Sequence, residues 1–178
     1  MTVLVGAVVV VGALCLLDLL LTFGVIRRLR EHTELLGRNQ PGEPPAIGLP
    51  AGQAPAPFTA ADDEGAPVRG PSGLRVVAVF STSCSICPKR VPGFVDYVRG
   101  HRVERGEVLA VVVGQSAASV PYLADLTDVA RVCTESADGP IGRAFAVAGY
   151  PAFFVLDAAG TVRWSGFDPS SLPAPAAV

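Results

Sequence analysis

The chain has 178 residues, 50% of them hydrophobic, and a formal net charge of −2. That length supports one domain with a full apolar core plus one or two short accessory segments, and the absence of clustered Lys and Arg excludes nucleic acid as a partner. Four cysteines are present; only Cys84 and Cys87 are close in sequence, which excludes a disulfide scaffold and points to chemistry at one pair.

In chain order, Thr2 to Ile26 is apolar with a single charge, Asp18. At ~1.5 Å per residue such a run spans a hydrocarbon core of ~30 Å, so residues 2–26 are predicted to form one transmembrane anchor. No basic residue precedes the run, and Arg27, Arg28 and Arg30 follow it, which argues against a cleaved signal peptide. Asp18 is costly at that depth. A partner helix, or an anchor apolar enough to carry one carboxyl, would each account for it. Cys15 lies within the run and reads as inert.

Residues 27–49 form a polar, helix-prone juxtamembrane stretch followed by a Gly/Pro-rich linker. Arg27 with Glu31 and Arg30 with Glu34 have helix-surface spacing, and His32 reads as solvated. The globular domain is assigned to residues 50–172, and residues 173–178 to a tail.

Within the domain, Leu74 to Phe80, apolar apart from Arg75, reads as a buried strand after a Pro-Ser-Gly turn. Cys87 to Gly100 reads as a helix with Pro88 in its first turn. Val108 to Val113 is a second buried strand, Ser116 to Leu126 a helix, Val129 to Cys133 a short strand and Gly139 to Val147 a helix. Phe153 to Leu156 and Thr161 to Ser165 form a hairpin around Asp157-Ala158-Ala159-Gly160. Strands alternating with helices and ending in a hairpin predict an α/β fold, its central sheet mostly parallel with an antiparallel edge.

Cys84-Ser85-Ile86-Cys87 falls between the first buried strand and the first helix. Two intervening residues bring both sulfurs within reach of an S–S bond. The positive end of a helix lowers the pKa of the first cysteine, and Lys89 and Arg90 add positive charge there. Cys84 is thus the expected nucleophile and Cys87 the resolving thiol. Zinc would need two further ligands, which His101 does not supply. Pro88 occupies the position where a haem-attachment motif needs His. No metal site and no cofactor are expected. Cys133 reads as a small buried apolar residue.

The passage Val76-Val77-Ala78-Val79-Phe80-Ser81-Thr82-Ser83-Cys84-Ser85-Ile86-Cys87-Pro88 resembles the thioredoxin superfamily, in particular its TlpA/ResA-like and MauD-like membrane-anchored branch. Gly149-Tyr150-Pro151-Ala152-Phe153-Phe154-Val155-Leu156-Asp157, followed by Gly160-Thr161-Val162-Arg163, is similar to the family's cis-proline loop and terminal hairpin. Pro55-Ala56-Pro57-Phe58-Thr59 is similar to the opening segment of redoxin domains. The resemblance covers residues ~50–170. It implies a thioredoxin-like fold with a mixed central sheet flanked by helices. It also implies a cis Tyr150-Pro151 bond facing the dyad, whose Tyr150 backbone binds an extended substrate segment. Two departures stand out: Ala78 occupies the place of a buried acid, and Ser83 a place where Trp is common. The end of the chain leaves little room for the usual final helix.

The resemblance implies a thiol–disulfide oxidoreductase acting on protein thiols and disulfides, fed by or feeding a membrane-embedded electron carrier. A peroxiredoxin-like thiol peroxidase is the second reading: Ser81 could stand for that family's Thr, but Val77 replaces its Pro. A redox-inactive, membrane-tethered binding module is the third. The basic residues after the anchor favour a cytoplasmic domain. The resemblance favours a single-pass protein of the cell membrane with its domain on the extracytoplasmic side, and the broader match is preferred.

Overall fold

The computed structural model describes residues 47–114 and 124–175, together with Gly12 and Leu16, which are helical. The predicted anchor (those two residues aside), the juxtamembrane helix and most of the Ser116–Leu126 helix lie outside the described residues. Of that last helix, residues 124–126 are seen and are helical. Among the described residues, no helix is long and apolar enough to cross a membrane.

Seven strands are described: β1 (Phe58–Ala61), β2 (Pro67–Gly70), β3 (Val76–Ser81), β4 (Val108–Val113), β5 (Arg131–Glu135), β6 (Ala152–Leu156) and β7 (Val162–Gly166). Besides the helical residues 124–126, the domain has the helices α1 (Cys87–Gly100) and α2 (Pro140–Ala144). The central sheet has the order β5-β4-β3-β6-β7. Its β3–β4 and β4–β5 pairings are parallel, and its β3–β6 and β6–β7 pairings are antiparallel. The sheet is therefore mixed in equal parts rather than mostly parallel, because β6 runs against β3 at the sheet centre and not only at an edge.

β3 and β4 are buried along their whole length, which is why both read as unbroken apolar runs instead of alternating patterns. Val76, Ala78 and Phe80 face one core, shared with Cys87, Val91, Phe94 and Val98 of α1. Val77 and Val79 face the other, shared with Ile141 and Phe145 and with Phe58 and Val68 of the β1–β2 hairpin. A continuous run thus encodes a sheet covered on both sides.

α1 begins at Cys87, with Ile86 as its cap and Pro88 in its first turn. Its buried residues Val91, Phe94, Val95 and Val98 recur at spacings of three and four, the helical stripe that meets the sheet. Pro92, inside the helix, has no N–H to offer the turn before it. α2 stops at Ala144, short of the expected Val147. Ala146 has φ of 48°, a left-handed conformation that an α-helix cannot continue through.

The strand expected at Val129–Cys133 is shifted. Val129 and Ala130 donate to the Leu126 carbonyl in a turn, at 3.1 and 2.9 Å, and the strand runs on to Glu135. The β1–β2 hairpin was not read from the sequence. Its turn docks on the outer edge of β5, where Asp63 N–H donates to the Val132 carbonyl at 2.8 Å. Beside it, the Asp62 carboxylate accepts from Arg131 Nη2 at 2.8 Å and Nε at 3.1 Å. This covers an otherwise open sheet edge.

On the N-terminal side, Ile47 is buried at 3% exposure. Its carbonyl accepts from Ala148 N–H, and Leu49 N–H donates to Phe145 O, both at 2.9 Å. Gly52 and Gln53 add to the β7 edge through Val162. Past β7 the described chain makes one 3-10 turn, Pro169–Ser171.

Candidate active site

Cys84 and Cys87 are joined as a disulfide, with their Cα atoms 5.5 Å apart. β3 ends at Ser81, and a tight turn carries the chain into α1: Cys84 N–H donates to the Ser81 carbonyl at 3.2 Å and Cys87 N–H to the Cys84 carbonyl at 3.3 Å. The two sulfurs are not equivalent. Cys87 is fully buried among Ala78, Phe80, Val91 and Phe94, whereas Cys84 is only partly buried. Only Cys84 can meet a large partner without unfolding the helix start.

The Tyr150–Pro151 peptide bond is cis and lies beside the dyad, with Cys84 Sγ 3.6 Å from the Tyr150 carbonyl oxygen. The four residues singled out from sequence, Cys84, Cys87, Tyr150 and Pro151, thus lie in one place although 66 positions separate Cys84 from Tyr150. The sheet brings this about. β6 pairs with β3 through Ala152 and Val79, so the residues preceding β6 fall next to those following β3. The Tyr150 phenol has its pKa raised by burial, with Glu135 and Asp138 adding to the effect.

An open cleft of about 430 Å³ adjoins the pair, lined in part by Ser81, Thr82, Ser83, Gly114, Ala137 and Tyr150. Ser81 is buried, and its hydroxyl lies 2.9 Å from that of Ser83. Gly114 has φ of 149° and leaves no room for a Cβ against the Thr82 hydroxyl, so glycine is needed there.

The electrostatics differ from the sequence expectation in one respect. Arg90 is not a free positive charge in the first turn of α1: its Nη1 pairs with the Asp168 carboxylate at 2.8 Å. The Asp168 carboxyl is held below its ordinary pKa, first by the Ser170 backbone and side chain and then by Arg90. Ala78 is fully buried in the apolar core. Cys133 is buried on the opposite face of the sheet from the dyad, and burial, reinforced by Asp62 and Asp63, pushes its thiol up to about 12. Among the described residues no group of three or more His, Cys, Asp or Glu could hold a metal ion.

Three features of the site region were not read from sequence. Glu135, half-buried at the end of β5, accepts from the N–H groups of Ile141 at 3.0 Å and Gly142 at 2.8 Å, capping α2 from outside its own helix. Burial nevertheless raises its pKa. Ile86, between the two cysteines, and Phe167, beside Gly149, are exposed apolar side chains. A signal existed only for the turn beside Phe167, where Asp168-Pro169-Ser170 has the composition of a capped turn.

No family model matches the sequence, and no curated protein sequence matches it. Among solved structures, the chain is similar to the thioredoxin domain of a thiol-disulfide oxidoreductase from Bacteroides vulgatus, with a TM-score of 0.57 and 16% identity over 67% of this chain and 90% of that one. It is also similar to a secreted Mycobacterium tuberculosis disulfide oxidoreductase homologous to E. coli DsbE, with a TM-score of 0.52 and 20% identity over 64% of this chain and 84% of that one. A thioredoxin-family thiol:disulfide interchange protein from Chlorobium tepidum gives a TM-score of 0.52 and 24% identity over 70% and 92%. The domain has the thioredoxin-like fold, a mixed sheet between helices with a cysteine pair at disulfide distance where β3 passes into α1.

Proposed function

We propose that this protein is a membrane-anchored thiol–disulfide oxidoreductase that exchanges disulfides with protein partners through Cys84 and Cys87. The observation that carries the reading is the asymmetric pair: one sulfur partly exposed beside the Tyr150 carbonyl, the other buried at the start of α1. The structures of similar fold, described as thiol-disulfide oxidoreductases, support it.

In the reducing direction the Cys84 thiolate attacks one sulfur of a substrate disulfide. The other substrate sulfur leaves and takes up a proton, and a Cys84–substrate mixed disulfide forms. The Cys87 thiolate then attacks Cys84 Sγ and expels the second substrate thiol. Two electrons have passed to the substrate, and Cys84–Cys87 is oxidised. The oxidising direction is the same sequence reversed. The positive end of α1 favours the thiolate form of Cys84. The Tyr150 backbone lies where an extended substrate strand would pair with it.

Residues 2–26 serve as a single-pass anchor, with the domain on the extracytoplasmic side and a membrane-embedded carrier as electron partner. The length and apolarity of that run support the anchor. Resistance of the full chain to carbonate extraction, and protection of the domain from a cytoplasmic protease, are the expected results. Solubility in carbonate would remove the anchor from the proposal.

The decisive experiment is a redox titration of the full chain in detergent across a glutathione series, read by thiol labelling. A midpoint near about −270 mV marks a reductase, and one near about −120 to −180 mV a disulfide donor or isomerase. No transition at Cys84–Cys87 overturns the proposal.

A further inference from the structure

We propose that Phe167 is the specificity-determining residue of this site, an apolar platform for the side chain that flanks the cysteine of a disulfide-bearing polypeptide. The inference rests on the thiol–disulfide exchange proposed above and names the class of segment that such exchange selects.

Among the described residues of the domain, only two large apolar side chains are exposed: Ile86 at 45% and Phe167 at 42%. Ile86 lies within the dyad, and Phe167 lies beside the residue that precedes Tyr150. Ile86 is the residue between the two cysteines that precedes Cys87. Phe167 is placed by contacts on two sides. Toward the proline loop, a Cβ on Gly149 would lie 3.5 Å from Phe167 Cε1, and the next residue is Tyr150, whose carbonyl is 3.6 Å from Cys84 Sγ. Toward the helix, the next residue is Asp168, paired with Arg90 at 2.8 Å. Beyond it, Pro169 packs so closely on α1 that a Cβ at Gly93 would meet its ring at 3.2 Å.

The ring is exposed, yet its backbone is fixed. Gly166 is in register with Phe153 in the sheet. Asp168 closes the following turn by accepting from Ser170 N–H at 3.0 Å and Ser170 Oγ at 2.8 Å. An aromatic side chain on a rigid support keeps the burial free energy of its exposed part, here 42% of its surface, for a partner, and two χ angles make it cheap to order. The exposed apolar ring indicates the partner's chemistry. Arg90 and Asp168 pair with each other beside the ring, so neither is a free charge there. The segment it fits is an extended one with an aliphatic or aromatic side chain next to its cysteine.

The test uses the reduced full chain in detergent and two synthetic peptides that share one intramolecular disulfide and differ only in Phe or Ser beside the first cysteine. Reduction is followed by mass spectrometry of the alkylated thiols. Wild type is expected to reduce the Phe peptide roughly fivefold to tenfold faster, the scale of partly burying an aromatic ring. In Phe167→Ala the ratio of the two rates falls toward one, and in Phe167→Leu most of it returns. Each ratio is internal to one preparation, so altered folding or redox potential cancels from it. A ratio of one in wild type, or the same ratio in wild type and Phe167→Ala, overturns the inference while leaving dithiol exchange standing. A wild type that exchanges with neither peptide in either direction, the reduced chain with the disulfide forms and the oxidised chain with the dithiol forms, overturns the exchange reading itself.

Discussion

The sulfur of Cys84 faces the carbonyl oxygen of Tyr150 at 3.6 Å, which joins the nucleophile to the backbone that would hold its substrate. Once the disulfide is reduced, that carbonyl is an acceptor for the Cys84 thiol. In the proposed exchange the same oxygen would be offered to a substrate amide.

The two cysteines are expected to fail differently. Cys84→Ser removes the sulfur that meets the partner and abolishes exchange. Cys87→Ser leaves attack intact but removes the resolving thiol, so mixed disulfides accumulate. Non-reducing electrophoresis after incubation with a disulfide-containing protein distinguishes the two. Equal trapping by both variants would contradict the assigned roles.

Three aromatic rings anchor α1 to the sheet. Phe94 lies 6.0 Å from Phe80 and 5.8 Å from Phe153, which are themselves 5.7 Å apart, centroid to centroid. Phe94→Ala removes the helix's corner of this triangle and is expected to cost about 3–5 kcal/mol of stability. Denaturant unfolding measures it. A loss below about 1 kcal/mol, the range of a volume-conserving swap, would mean that the helix is held by other contacts.

The hairpin that covers the β5 edge depends on Asp62. Burial alone would raise its pKa, but Arg131 and the Ala66 N–H hold it below the usual carboxylate range. An acid with a lowered folded pKa adds stability above its unfolded pKa and loses it as pH falls through the folded value. Asp62→Ala is therefore expected to destabilise by roughly 2 kcal/mol, the scale of hydrogen bonds to a charged group, at pH 7. The gap from wild type should narrow below about pH 4, near the unfolded carboxylate pKa. Thermal denaturation at pH 7 and pH 3 checks both statements.

Two groups on opposite faces of the sheet predict alkaline sensitivity. Burial raises the Cys133 thiol from 9.0 to about 12 and the Tyr97 phenol from 10.0 to about 12. Tyr97 Oη donates to the Pro173 carbonyl at 2.6 Å. For an acid raised on folding, the contribution is intact below the unfolded pKa. It is lost as pH rises from there toward the folded value, because the unfolded chain releases a proton that the fold retains. Stability should fall between pH about 9 and 12, and Cys133→Val with Tyr97→Phe should flatten the slope. Native Cys133 should also resist iodoacetamide at pH 8, and label once the chain is unfolded.

Much of this architecture was legible because burial writes itself into composition. Val108–Val113 and Cys87–Gly100 have in the structure the limits their patterns indicate, since a doubly covered strand and a one-sided helix leave opposite signatures. The β1–β2 hairpin left almost none: Phe-Thr-Ala-Ala and Pro-Val-Arg-Gly bury only Phe58 and Val68, too little to separate a strand from a loop. Gly70 is required there because a Cβ would enter the Phe58 ring, a reason that exists only in three dimensions. The dyad was readable because its chemistry is local. The Arg90–Asp168 pair and the Phe167 platform join residues tens of positions apart, and no local pattern specifies such meetings.

The division of β3 between two cores has an evolutionary consequence. Val76, Ala78 and Phe80 share neighbours with the dyad, while Val77 and Val79 share theirs with α2 and the hairpin. Substitutions on opposite faces have few common contacts, and effects of residues without shared partners tend to add. Sequence drift on the hairpin side can then proceed with little epistasis toward the catalytic side. Substitutions on the dyad face of the sheet should then be combinable with those on the far face, their effects adding.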